Sequence, residues 1–532
     1  MWLRRRGGAL LIATAFACLA TGVSAEAQEL RIGLKTEPSS LDPQYHNVRA
    51  NSQIALHLFD ALVGRDERLR PVPGLAVSWQ PIADTVWEFK LRPNVRFHDG
   101  SPFTAEDVVF TYERAARLPN SPSSFVFVTR QLTKLEIADP LTLRVHTKDV
   151  MPLLPLELAR LPILSRKAAA GGAPEGRTTV ELNRGEGLVG TGPFGFVEWQ
   201  RGAHLVLARN DDYWAGRSAW SRVTFRPVAA DEARVAALVA GDLDLIEEPP
   251  IADLRKLRRD PKLALAEAVS SRVLYIALDQ FAEPSPWVLD TNGRNPLKDK
   301  LVRQALSMAL DRKALTERVM EGFAQPAADF LAAPGFGARK EAQPDRLDVA
   351  MARRLLAEAG YPNGFSITLG SPNGRWANDL KSAQAIAAMW NRIGVRTEVE
   401  AATPQVFFKN RDEFRYSAYI AGWNSELGEI SAALRGLAAT PSREKGMGVA
   451  NRGRYTNPAM DAKLEEALRT VDDKKREALL QEASRLVIAD HGILPLHFEM
   501  AVWAMRREFG YAARADQATL AQHVTSKAPA VR

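Results

Sequence analysis

Two successive units of the same design constrain the fold more than any other feature of this chain. Residues 347–369, "LDVAMARRLLAEAGYPNGFSITL", show a helical repeat of apolar side chains that ends at Gly360, and an alternating strand pattern follows. Residues 382–400, "SAQAIAAMWNRIGVRTEVE", repeat this order around Gly394. Helices that alternate with strands are typical of α/β proteins with parallel strands. We therefore predict an α/β lobe with an at least partly parallel sheet in the C-terminal half.

The N-terminus predicts the compartment. Three arginines at 4–6 precede a short apolar run over 9–20, and small residues end at Ala25, which is the pattern of a secretory signal peptide over residues 1–25. The only cysteine, Cys18, lies inside this segment, so we expect a mature chain without disulfides or thiolate metal sites. We therefore predict a soluble, periplasmic protein.

Length and charge narrow the remaining classes. A chain of 532 residues is too long for one compact core, which favours two or three domains. The formal charge of +7 includes the three arginines of the predicted signal peptide, and the other basic residues are interspersed with acidic ones. Such a diluted charge does not favour nucleic-acid binding.

No motif in the sequence indicates catalysis or a cofactor. The eight histidines form no HExxH pair and no i, i+4 pair, so we predict no metal site. "GTGPFG", residues 190–195, fits the dinucleotide pattern G-x-G-x-x-G, but Pro193 removes a donor and a strand pattern follows instead of a helix. We predict no catalytic residue and no cofactor.

Several stretches in a fixed order resemble a known family. The most specific one, "RFHDGSPFTAEDV", combines a turn, the helix cap Thr104 with its capping-box acid Asp107, and a helix start. The others are "LFDALVGRDERLRPVPGLAVSW", "VGTGPFGFVEW", "LARNDDYWAG", "VRQALSMALDRKAL" and "ARRLLAEAGYPNGF". From about Leu30 to the C-terminus the chain is similar to the family 5 solute-binding proteins of ABC importers, the peptide- and nickel-binding class.

This resemblance implies a two-lobed α/β periplasmic binding protein of the class with an extra domain. Its ligand would lie in a cleft between the lobes, and the closed form would be presented to a membrane ABC permease. The implied division is lobe I at 29–70, 188–272 and 497–532, the extra domain at 71–187, and lobe II at 273–496.

The resemblance also implies a ligand loop. In the peptide-binding members, a Gly-Trp pair lines the cleft, and an aspartate three residues after the Trp takes the peptide's α-ammonium. The pair falls here on Gly422 and Trp423, followed by Asn424, and the acid falls on Glu426. This chain departs from the family by having glutamate for aspartate, which keeps the charge and lengthens its reach by one methylene.

Two further segments are candidates for ligand contact. In "SPNGRW", Arg375 would pair with a ligand carboxylate, as arginines in this region do in the dipeptide-binding members, and Trp376 would line the same wall. The turn at Thr36 would offer backbone groups to an extended ligand.

We therefore expect a monomeric binding component that captures a small solute, foremost a short peptide, and delivers it to an ABC permease. A metal chelate, a sugar or an opine-like compound remains open as the ligand, because one fold serves many functions. A secreted hydrolase and a sensory receptor are alternatives from other classes.

Overall fold

The computed structural model of this chain describes residues 28–171 and 176–526. The predicted signal peptide, including Cys18, lies outside the described residues. The strands are β1 (Gln28–Leu34), β2 (Val63–Arg65), β3 (Pro71–Pro73), β4 (Ala76–Ala83), β5 (Val86–Leu91), β6 (Leu132–Asp139), β7 (Thr142–Thr147), β8 (Phe194–Gln200), β9 (His204–Arg209), β10 (Trp220–Pro227), β11 (Leu245–Glu247), β12 (Leu263–Leu278), β13 (Val288–Leu289), β14 (Ala324–Pro326), β15 (Phe365–Pro372), β16 (Val395–Ala402), β17 (Ala418–Asn424), β18 (Ile493–Arg506), β19 (Phe509–Tyr511) and β20 (Val524–Ser526). The α-helices are α1 (Arg49–Leu58), α2 (Ala105–Arg117), α3 (Val126–Thr129), α4 (Leu154–Leu158), α5 (Arg166–Ala169), α6 (Thr179–Asn183), α7 (Asp231–Ala240), α8 (Ile251–Arg259), α9 (Lys300–Met308), α10 (Arg312–Ala314), α11 (Val349–Glu358), α12 (Asp379–Asn391), α13 (Pro404–Asp412), α14 (Ser431–Ala433), α15 (Pro458–Ala467) and α16 (Asp473–Ala489).

The two helix–glycine–strand units are confirmed. α11 leads into β15 and α12 leads into β16, and the two strands pair in parallel from Phe365 to Pro372. Gly360 and Gly394 both have left-handed backbone, with φ of 88° and 92°, where a side chain would be strained. A Cβ on Gly364 would lie 1.9 Å from the carbonyl oxygen of Gly394, so the two turns can pack together only with glycine there.

One continuous sheet runs through the molecule. Its strand order is β13-β15-β17-β12-β18-β11-β1-β10-β9-β8, with β14 beside β18 and β16 beside β15. The long strands β12 and β18 lie at its middle and pair with each other along both halves. Their register shifts between Val269 and Val273, and this shift divides each strand into two stretches, one in each half of the sheet. The chain therefore passes between the two lobes along β12 and β18.

The buried apolar residues form separate cores in the two halves of the molecule. The largest runs from Leu274 to Leu496, and a second joins the N-terminal strands to the C-terminal segment around Trp503. A third, from Leu62 to Ile163, fills the space between helix α2 and the four-stranded sheet β4-β5-β7-β6. Separate cores are expected for a chain of this length. The exact domain boundaries stay a prediction.

The start of α2 has the predicted cap. The backbone amide of Thr104 donates to the Asp107 carboxylate at 2.9 Å, which satisfies a donor that the helix itself leaves free.

The "GTGPFG" loop has a packing role. A Cβ on Gly190 would lie 2.0 Å from the carbonyl oxygen of Leu58, and one on Gly192 would lie 2.5 Å from the Leu58 carbonyl carbon. The loop continues into strand β8, as the sequence predicted. These glycines allow the loop to lie directly against the end of α1.

No helix within the described residues has the length and apolar character needed to span a membrane.

Candidate interlobe ligand site

A cavity of about 380 Å³ lies where the two halves of the sheet meet. Its walls come from the N-terminal half, from the turn before α12, and from the connecting strands β12 and β18. The residues that matter for its chemistry are Lys35, Asp231, Glu247, Glu248, Arg272, Met320, Phe323, Arg375, Trp376, Glu499 and Trp503. A polar and aromatic cavity of this size suits a small ligand.

The turn before α12 places Arg375 and Trp376 in this cavity. The carboxylate of Asp379 accepts hydrogen bonds from the backbone amides of Gly374, Arg375 and Trp376 at 3.1, 2.8 and 3.1 Å. These bonds fix the turn at the carboxyl end of β15, the end at which open α/β sheets bind ligands.

Gly422 makes room for the cavity wall. A Cβ at this position would lie 2.9 Å from the indole ring of Trp376, which is only 9% exposed. The predicted site residues Gly422, Arg375 and Trp376 are therefore brought together, with Gly422 supporting Trp376 from behind.

Arg375 is the cavity cation for which the described residues supply no acidic partner. Within the described residues, its guanidinium takes part in no ion pair and no hydrogen bond, and it lies 5.7 Å from the centre of the Trp376 ring. Burial and then repulsion by Arg272 lower the pKa of Arg375, while Glu499 and Glu248 act in the opposite direction. The electrostatic environment of Arg375 therefore favours an added negative charge.

The floor of the cavity is an ion pair between the connecting strands. Arg272 on β12 and Glu499 on β18 are joined by a 3.0 Å bond from Nη1 to Oε2, and both line the cavity. Neither residue was predicted from the sequence. The available signal was the polar "SSR" at 270–272, which directly precedes the apolar stretch "VLYIAL" at 273–278.

The opposite wall carries acids that are already paired. Glu248 pairs with Arg49 and lies 3.9 Å from the ammonium of Lys35, which is 3.7 Å from Asp231. Glu247 accepts bonds from the backbone amide of Lys35 and from a threonine hydroxyl, both at 2.9 Å, and burial raises its pKa. These wall acids were also not predicted, because the sequence alone does not distinguish them from solvated surface charges.

Thr36 lies beside this wall but outside the lining. Its side chain is exposed, and the neighbouring Lys35 is the residue that reaches the cavity. Its predicted backbone contact to a ligand stays a prediction.

The loop after β17 has a different environment. The Glu426 carboxylate lies 2.9 Å from Arg160, and the Glu426 carbonyl accepts a 2.7 Å bond from Arg65. The side chain of Glu426 is 53% exposed. The described residues that line the cavity do not include Glu426, Trp423 or Asn424. The Glu426 loop therefore joins lobe II to the N-terminal half of the molecule.

The other two residues of this loop have structural contacts. Trp423 pairs with Val273 across the strands, and its ring packs so closely on Gly436 that a Cβ there would approach it to 2.4 Å. The side-chain oxygen of Asn424 accepts a 2.7 Å bond from the hydroxyl of Ser271. Both residues fasten β17 to its neighbours.

The next acid, Glu429, is a core residue. It is 1% exposed and pairs with Arg476, whose guanidinium lies 4.2 Å from the centre of the Phe336 ring. Burial raises the pKa of Glu429, and Arg476 opposes that rise. Of the two carboxylates in the loop, this one is buried inside lobe II.

The described residues contain no group of His, Cys, Asp and Glu side chains that could hold a metal ion.

Comparisons with known proteins agree with this architecture. Residues 70–442 match the family described as bacterial extracellular solute-binding proteins, family 5. The chain is 29% identical to the glutathione-binding protein GsiB of Pectobacterium atrosepticum over 471 residues, which is 87% of each protein. It is 31% identical to heme-binding protein A of Haemophilus influenzae over 443 residues, 78% of this chain and 76% of that protein. The structure of HbpA2 from Haemophilus parasuis superposes with a TM-score of 0.82 at 26% identity and covers 94% of this chain and all of that one.

The predicted fold class and family are confirmed: the chain is a two-lobed α/β binding protein that captures a small solute or peptide between its lobes and works with an ABC permease. It belongs to the family 5 bacterial extracellular solute-binding proteins.

Proposed function

We propose that this protein imports a short peptide or peptide-like acid, and that Arg375 binds a carboxylate of that ligand. The observation that carries the proposal is that no described residue pairs with the Arg375 guanidinium in the interlobe cavity, whereas Lys35 and Arg272 have acidic partners. A hydrogen-bonded ion pair shielded by lobe closure is strong, and arginine suits the planar carboxylate group.

The relatives support a carboxylate ligand. Glutathione and heme, which appear in the names of two of them, each carry more than one carboxylate group. Trp376 supplies a flat apolar face beside Arg375, and Met320 and Phe323 extend it. The cavity therefore combines a cationic pole with an apolar wall, which fits a peptide terminus and its neighbouring side chain.

The ammonium of such a peptide has two candidate partners. Glu426 stays the predicted one, and it would bind the ligand beside Arg160, which bonds one of its two carboxylate oxygens. Glu248 lines the cavity directly but shares its charge with Arg49 and Lys35.

We further propose that the protein acts as a monomer in the periplasm, without binding nucleic acid and without converting its ligand. The predicted signal peptide and the absence of recognisable catalytic motifs from the sequence support this. Mass spectrometry of the ligand recovered after long incubation would test for turnover, and a cleaved peptide would indicate a hydrolase.

The test of the ligand class is a thermal-shift series with tri- to pentapeptides. Each peptide is used with a free or an amidated C-terminus and a free or an acetylated N-terminus. A ligand at a hundred times its dissociation constant adds about 2.7 kcal/mol of stability. We expect free-carboxylate peptides to raise the melting temperature, amidated ones to raise it less, and Arg375→Gln to remove the difference. If no peptide stabilises the protein, the ligand is of another class, and metal chelates, sugars and opines are the next to screen.

A further inference from the structure

Arg272 stands out among the residues that the sequence analysis missed. It lies on β12 at the register shift where the sheet passes from one lobe to the other, and it lines the same cavity as Arg375. Its side chain is 22% exposed, so the guanidinium faces the cavity rather than bulk solvent. The position is fixed by strand pairing with Asn424 on one side.

The hydrogen bonding of Arg272 is incomplete. Nη1 donates a hydrogen bond to Glu499, and no described residue accepts a hydrogen bond from Nε or Nη2. A guanidinium has five N–H donors arranged in a planar fork. Arg272 can therefore keep Glu499 and still offer donors to a ligand.

The charges around Arg272 and Arg375 do not balance. Arg272 and Arg375 line the same cavity, repulsion by Arg272 lowers the pKa of Arg375, and Glu499 is the acid that lies against Arg272. Glu248 also acts on Arg375 but is paired with Arg49 on the far wall, where Lys35 pairs with Asp231. Among the described cavity acids, only Glu499 forms an ion pair with either guanidinium, and a second carboxylate would reduce the repulsion between them.

We infer that Arg272 and Arg375 bind the same ligand carboxylate, so that Arg272 is a second specificity-determining residue of the cleft. This inference rests on the proposed function, because it assigns a partner to the carboxylate that Arg375 receives. The carboxylate would be held jointly by a connecting strand and by lobe II, and Glu499 would limit the site to a single added negative charge.

Opposite effects on binding are expected from substituting Arg272 and Glu499, the ion pair at the floor of the cavity. Arg272→Gln removes one binding cation, and we expect about a tenfold loss of affinity for a free-carboxylate peptide with little change for its C-terminal amide. Glu499→Gln keeps an acceptor for Arg272 but removes a competing negative charge, so we expect tighter binding of the free-carboxylate peptide. Arg272→Lys keeps the charge without the fork, and we expect an intermediate affinity.

The experiment is titration calorimetry of trialanine and trialanine amide on the mature protein and these three variants. Equal losses for both peptides in Arg272→Gln, or weaker binding of the free-carboxylate peptide in Glu499→Gln, would overturn the inference and leave Arg272 a structural residue. Melting curves of each ligand-free variant show whether it is folded. If Arg272→Gln does not fold, Arg272→Lys takes its place in the comparison.

If neither peptide binds wild type, trialanine is not a ligand, and joint carboxylate binding by Arg272 and Arg375 (the arginine clamp) is tested separately with succinate. We then expect succinate to raise the melting temperature of wild type more than that of Arg272→Gln. An equal response, or none in either protein, would overturn the clamp itself.

Discussion

The turn at Arg375 and the loop at Glu426 offer the most informative comparison in this molecule. Both carry a tryptophan and a charged side chain, and both are segments for which the family resemblance predicts contact with the ligand. Arg375 enters a cavity in which no described side chain satisfies its charge, whereas Glu426 lies outside that cavity, bonded to Arg160. The difference is whether the chain itself already supplies the opposite charge.

This comparison separates motif from site. A residue at a family position binds ligand only if it faces the cavity and has hydrogen-bonding capacity left. Arg375 meets both conditions in the described structure, whereas Glu426 lies outside the cavity lining and shares its carboxylate with Arg160.

The largest expected effect concerns stability and uses the two acids of one loop. Glu429→Ala leaves the buried Arg476 with only the exposed Asp473 as a partner, and we expect the free energy of unfolding to fall by about 3 kcal/mol. Glu426→Ala is the matched control, because it removes an exposed pair worth about 1 kcal/mol or less. Urea unfolding of both variants checks this. Similar losses would mean that Glu426 is as deeply embedded as Glu429.

The next effect concerns His497, a buried residue outside the cavity lining. Both ring nitrogens of His497 are without a hydrogen-bond partner among the described residues, and burial lowers its pKa to about 4 from the usual 6.5. Between about pH 6.5 and 4, this histidine is protonated in the unfolded chain but neutral in the native protein. The free energy of unfolding therefore decreases as the pH falls through this range. The shift corresponds to roughly 3 kcal/mol.

Chemical denaturation between pH 7.5 and about 4 measures this loss. His497→Leu removes the titrating group, and we expect a flatter dependence on pH with unchanged or higher stability at neutral pH. An equally steep dependence in the variant would assign the acid sensitivity to other groups, among which His57 also has a pKa lowered to about 4 by burial.

A smaller effect in energy tests the ligand side of the comparison. Arg375→Gln should weaken binding of a free-carboxylate ligand by about 10- to 100-fold, since a hydrogen bond to a charged group contributes about 1.5–3 kcal/mol. The ligand-free melting temperature should not fall, because no ion pair with a described residue is lost. A lower melting temperature with unchanged affinity would make Arg375 structural.

The smallest expected effect comes from the ion pair between Arg160 and Glu426. This pair should contribute about 1 kcal/mol or less to stability, because the Glu426 side chain is half exposed. The variant Arg160→Gln should lose more than this contribution, because Arg160 also pairs with Glu157 and lies over the ring of Phe127. Its value lies in the binding data. If the variant gains affinity for peptides with a free N-terminus and not for acetylated ones, Glu426 is the ammonium site that the family resemblance implies. If affinity is unchanged for both, the Glu426–Arg160 pair only joins the two halves of the molecule.

The sequence predicted the fold where local signals agree with each other. Gly360 and Gly394 end helices because their backbone is left-handed, and Asp107 caps α2 through a bond three residues away. Such signals depend on neighbours in the chain, so a single sequence contains them. The family resemblance then supplied the two-lobed arrangement that local patterns cannot.

The site was only partly predictable. Arg375 and Trp376 lie together because they are adjacent in one turn, but Arg272 and Glu499 pair across strands 227 residues apart. Arg160 and Glu426 are separated by 266 residues, so no local pattern could show that the predicted ammonium acid is already paired. Which charges remain free is a property of tertiary contacts.

The most direct measurement of the central claim is calorimetric titration of one stabilising peptide into wild type, Arg375→Gln and Glu426→Gln in the same buffer. The account predicts that Arg375→Gln loses at least about tenfold in affinity and that Glu426→Gln loses less. A large loss in Glu426→Gln with unchanged binding in Arg375→Gln would contradict it, because the ligand would then use the charge that Arg160 occupies.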